Sequence, residues 1–91
     1  MNKSHALAGA IASDLFRVAN LYKRNADQGA LRFLFEAHNS AKKLEIMCDK
    51  KYIKKISKKI IDINNLTDKT AEDLLMYAVL LQNYSLPKNS M

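Results

Sequence analysis

The side chains able to do chemistry are few in this chain of 91 residues, and their spacing limits what they could do together. His5, His38 and Cys48 are the softer metal ligands present, and none has a second ligand at the short spacings of structural zinc sites. Glu36-Ala37-His38 has one residue between acid and imidazole. Carboxylate-bridged metal bundles use Glu-x-x-His, which puts both groups on one helix face. Gly9 and Gly29 stand alone, so there is no glycine-rich loop to cradle a phosphate. The residues point to no metal, no cofactor and no evident small-molecule substrate.

Three single residues have chemistry only if the fold gives them partners. Cys48 would be a nucleophile beside an activating base, but its place on an apolar helix face reads as an inert core residue. His38 lies beside Leu34 and Ala41 at the edge of the same face, the usual setting of a packed or hydrogen-bonded imidazole. Asp14 sits among Leu7, Val18 and Leu21, where it could meet a base from another helix; pairing with Arg17 on its own helix is the simpler expectation. Arg32 and His38 share the Arg-x5-His spacing of the HEPN ribonucleases, a helical-bundle family that this pair resembles in that one respect. Phe33 stands where that family usually has a polar residue. On a straight helix the two side chains point about 240° apart, so they are not expected to share a site within one chain. A ribonuclease reading would need a cleft that brings Arg32 or His38 to substrate, for instance across a dimer. No catalytic residue is assigned.

Charge carries more information. Between Lys42 and Lys59 there are eight lysines against Glu45 and Asp49, so this stretch holds the whole formal charge of +6. Lys51, Lys54, Lys55, Lys58 and Lys59 fall on one helix face, opposite the isoleucines. Like charges so spaced cost about 0.2–0.5 kcal/mol per pair, roughly 1–2 kcal/mol together, and salt screens part of that. Only Asp62 is near enough on the same helix to offset them, and Lys50 and Lys51 stand at its start, where the helix dipole disfavours cations. The face is either a solvated surface or a docking site for an acidic protein, acidic lipid headgroups or nucleic acid. With no arginine for base readout and Tyr52 as its one stacking aromatic, any nucleic-acid binding would be independent of sequence and sensitive to salt.

The elements that must carry these residues are helices. The composition is 48% hydrophobic with two glycines and one proline, and Leu, Ile, Ala and Lys dominate, a mixture that favours helix. Periodicity predicts an all-α, compact antiparallel bundle of about four helices, over approximately 4–24, 28–47, 50–64 and 68–85, in one domain spanning 1–91. Ser4, Asp27 and Asp49 are the expected N-caps of the first three, Leu66, Thr67 and Asp68 open the fourth, and Pro87 ends it, leaving a frayed tail over 87–91. The core faces read Leu7, Ile11, Leu15, Val18 and Tyr22; Ala30, Leu34, Ala37, Ala41, Leu44 and Cys48; and Ile53, Ile56, Ile60 and Ile63. Leu31 and Phe35 form a shoulder of the second, and Ala8, Gly9, Ala12 and Ala19 a small-residue side of the first.

The fourth helix is different. From Leu74 to Leu81 it has no polar face, and a helix apolar all round is normally enclosed. Either it is central to the bundle or a second subunit covers it. A homodimer through Leu75, Met76, Val79 and Leu80, with the small-residue side of the first helix as a possible extension, is the expectation. That apolar run is too short to span a bilayer. The segment Lys3 to Ala12 ends like a cleavage site but is too short and too weakly apolar for a secretion signal. A lone cysteine fits a reducing, cytoplasmic setting. The sequence therefore favours a non-enzymatic protein acting through protein–protein contacts, with sequence-independent nucleic-acid binding as the alternative and a ribonuclease-like enzyme behind it.

Overall fold

A computed structural model describes residues 3–86. It is all-α: α1 (Lys3–Lys23), α2 (Asp27–Met47), α3 (Lys51–Asp62) and α4 (Asp68–Ser85). The expected tail over 87–91 lies outside the described residues. α1 packs against both α2 and α4, α3 packs on α2, and α3 has only a small contact with α4. α1 and α2 thus each have two main neighbours, with α4 and α3 flanking them. The alternative that put the fourth helix at the centre is corrected: α4 lies at an edge, with α1 as its main neighbour. The molecule is flattened, 38 × 28 × 18 Å.

Side-chain size explains why α1 can hold two neighbours. Ala8, Ala12 and Ala19 are buried between larger core residues Ile11, Leu15 and Val18, and small side chains let backbones approach closely. A Cβ at Gly9 would lie 3.4 Å from Ser85 Oγ at the end of α4. The small-residue side is therefore occupied by the chain itself and is not available to extend a dimer. On α2, all six expected core positions from Ala30 to Cys48 are buried, and so are Ile53, Ile56 and Ile60 of α3.

The helix ends show where local chemistry differs from the simplest reading. α1 ends on Asn25 at φ 62°, with Ala26 N–H donating to Leu21 O and Asn25 N–H to Tyr22 O. That is the paired-bond C-cap that needs a left-handed residue, which Asn tolerates. α2 starts from Ala26 with no side-chain cap, and Asp27 sits inside its first turn instead of capping it. Asp49 does not cap α3 either: Lys50 holds the N-cap position without a side-chain bond. Ser4 is not a cap but a buried residue of α1, its hydroxyl 3.0 Å from Tyr84 Oη. Among the described residues α4 alone has a full capping box, with Thr67 and Thr70 each bonded to the other's backbone N–H. α3 is shorter than expected because Ile63 turns extended, at φ −81° and ψ 111°. Its carbonyl is then bonded by His38 Nε2 at 2.7 Å.

Candidate functional site

The lysine face forms as the spacing predicts, but it is not uniform. Ile53, Ile56 and Ile60 point into the core, with Ser57 among them, buried and donating to Ile53 O at 2.9 Å. Lys51, Lys55, Lys58 and Lys59 are exposed, and Lys54 is half-buried. Glu45, on α2, divides the set. Lys54 Nζ donates to its backbone carbonyl at 3.0 Å, and Lys58 Nζ stands 3.9 Å from its carboxylate. Asp62, the acid of α3 expected to offset these charges, makes no salt bridge among the described residues; packing against α2 supplies Glu45 instead. Lys51, Lys55 and Lys59 make no salt bridge among the described residues.

The outer face of α4 is the other surface. Its inner positions Ala71, Leu74, Tyr77, Ala78, Leu81 and Tyr84 are buried against the bundle. Met76, Val79 and Leu80 remain 52%, 46% and 39% exposed, although they belong to the same unbroken apolar run. Leu75 is half-buried, on the wall of a shallow cleft with Tyr22 and Asp68. There Tyr22 Oη donates to Asp68 Oδ1 at 2.8 Å, and that bond is the main reason its phenol titrates above the ordinary value. The lysine face and the α4 stripe do not form one site. Their helices have only a small contact, and the ring of Tyr52 is set edge-on to that of Tyr84 at 6.4 Å.

Comparison with known proteins returns no matching family model, no matching curated protein and no matching solved structure.

Two arrangements were not legible in the sequence. One joins three helices at the end of the molecule. Tyr84 Oη lies 3.0 Å from Ser4 Oγ and 3.2 Å from Cys48 Sγ, all three residues buried, with His5 stacked edge-on against the Tyr84 ring at 4.4 Å. Burial, then the bond to Cys48, pushes the Tyr84 phenol up. Cys48 therefore has a phenol and not an activating base beside its thiol. The other is a cleft along α2 whose walls include both Arg32 and His38. This corrects the expectation that the two could not share a site within one chain. Arg32 is exposed and His38 half-buried.

Among the described residues Asp14 finds no base across the bundle. It stands 3.9 Å from Arg17 on its own helix, while burial and the nearby Glu36 raise its pKa. Among the described residues no three His, Cys, Asp or Glu side chains gather as a metal ion would require, and no helix is long and apolar enough to cross a membrane.

Proposed function

We propose that this chain is a non-enzymatic interaction protein, and that the outer face of α4 is its contact surface, first of all with a second copy of itself. The observation that carries the reading is the exposure of Met76, Val79 and Leu80 on a helix whose opposite face is fully packed. Exposed apolar area is stabilised by burial at about 25 cal/mol per Å², and a contiguous patch usually marks a contact site. A two-fold pairing of α4 with α4 would bring Met76, Val79 and Leu80 of each copy together, an apolar stretch of roughly 7 Å along the helix. Such a contact is at the small end of specific interfaces, so a micromolar and reversible dimer is expected. A cytoplasmic setting belongs to the same reading, supported by a single, buried cysteine.

Light scattering across a concentration series tests it. The expected result is a mass rising from the 10.3 kDa monomer towards twice that value, with the rise abolished by Met76→Gln/Val79→Gln. A monomer mass at high micromolar concentration would remove the proposal.

A second reading rests on a separate observation, the three lysines left without a salt bridge on α3. Binding to duplex DNA through all five lysines would give a log–log salt slope near −4 to −5, whereas Lys51, Lys55 and Lys59 alone would give about −3. Retained binding after changing all five to glutamine would exclude it.

A further inference from the structure

The cleft along α2 has the make-up of a binding site for a small amphiphilic anion. It encloses about 410 Å³, within the ~300–1,000 Å³ range of small-molecule sites. It runs from Gln28 to His38, about 15 Å along the helix at 1.5 Å per residue. Leu31, Leu34 and Phe35 supply its apolar surface, and Arg32, His38 and Asn64 supply its polar groups.

Three features give the cleft a direction. The first is a guanidinium left without a salt bridge towards its Gln28 end. Arg32 makes no salt bridge among the described residues, although Glu36 follows it by one turn. Asp27 stands beside Gln28 in the first turn of α2 and offsets the helix start, so the Arg32 guanidinium is the cation that this end offers. The second is an apolar surface that the fold leaves open: Leu31 is 47% and Phe35 71% exposed. The third is a fixed imidazole. A carbonyl can only accept, so His38 Nε2 donates its hydrogen to Ile63 O. In the neutral ring Nδ1 is then left with a lone pair. The Phe35 ring sits 6.4 Å from this imidazole.

We propose that this cleft binds a small carboxylate with an aromatic or aliphatic body. The acid lies against the Arg32 guanidinium beside the α2 start. The body covers Leu31 and Phe35, and a polar group at the far end meets His38 and Asn64. Guanidinium is the side chain best shaped for a carboxylate, because two parallel N–H bonds fit its two oxygens. The site is independent of the α4 face, and binding here would stand whether or not the chain dimerises.

Titration of the full chain with 2-naphthoate, followed by amide and side-chain NMR shifts, tests the assignment. Saturable shifts at Leu31, Phe35, His38 and Asn64 are expected. Arg32→Gln, and separately the neutral 2-naphthamide in place of the acid, should each weaken binding about tenfold. Arg32 is exposed, so that variant should keep the native spectrum elsewhere, and Lys59→Gln should bind as the parent does. Equal affinity in Arg32→Gln, shifts centred on Met76 to Leu80 or on the α3 lysines, or no saturation at millimolar ligand would each overturn the proposal.

Discussion

α3 and α4 both lie at an edge of the molecule, each resting mainly on one neighbour, yet they deal with water in opposite ways. α3 sorts its residues more sharply: Ile53, Ile56 and Ile60 inside, four of its five lysines exposed with Tyr52 as the one half-exposed aromatic among them, and Glu45 of α2 bonding two of the five. α4 buries one apolar face and leaves a second apolar face exposed. Nothing about α3's outer side requires a partner, because lysines at modest like-charge cost are stable in water. Folding does not account for α4's outer side, since Met76, Val79 and Leu80 contribute almost nothing to the core that the chain builds for itself. The contrast separates charge as a surface from apolarity as a surface, and only the second implies a missing contact.

Substitutions on the inner faces should have the largest effects and should treat the two helices alike. Leu74→Ala on α4 and Ile60→Ala on α3 each remove a fully buried side chain and should cost about 2–5 kcal/mol, read as a drop in denaturant midpoint. If Leu80→Ala cost as much in dilute monomer, the division of α4 into packed and unpacked faces would fail.

The caps differ next. Thr67→Ala breaks a two-sided capping box and should cost about 1 kcal/mol, whereas α3 has no cap to lose. Lys50→Asp should instead stabilise the protein by about 0.5–1 kcal/mol, by adding a cap and an acid where a cation now faces the dipole. A destabilised Lys50→Asp variant would mean that the lysine makes a contact more useful than a cap.

Smaller still are the outer faces. Lys55→Gln/Lys59→Gln should leave stability unchanged or raise it by about 0.2–0.5 kcal/mol per like-charge pair relieved, with the gain shrinking as salt is added. A clear loss would show that the lysine face is structural.

The phenols of α4 give the last contrast. Burial raises Tyr77 and Tyr84 above the ordinary 10.0, so the folded state keeps protons that the unfolded state has lost. Their contribution is complete below pH 10 and is lost as pH rises through the shifted values. The midpoint should therefore fall in alkali more steeply for the parent chain than for Tyr77→Phe/Tyr84→Phe.

Much of this was legible in the sequence because periodicity is local. The core stripe of α2 from Ala30 to Cys48 and the isoleucine stripe of α3 follow from 3.6-residue spacing alone, and so does the opposition of lysines to isoleucines. Caps were read less well. Asp27 and Asp49 are good N-cap types placed one residue away from the position that caps, and a one-residue shift decides whether the side chain reaches the free N–H groups. Contacts between distant segments had no local signal. Ser4 meets Tyr84 across the whole chain, and Glu45 reaches Lys54 and Lys58 only because α2 and α3 pack together. Leu31 and Phe35 did carry a signal, since they stand off the core stripe at a spacing of four. A shoulder and a cleft wall look the same until Asn64 and His38 close the other side.

The central claim is that α4's outer face is covered by a second copy, and concentration-dependent light scattering of the parent chain beside Met76→Gln/Val79→Gln tests it most directly. The account predicts a parent mass that climbs towards the dimer while the variant stays monomeric with an unchanged helical spectrum. A parent that remains monomeric at high micromolar concentration, or a variant that associates as well as the parent, would contradict it.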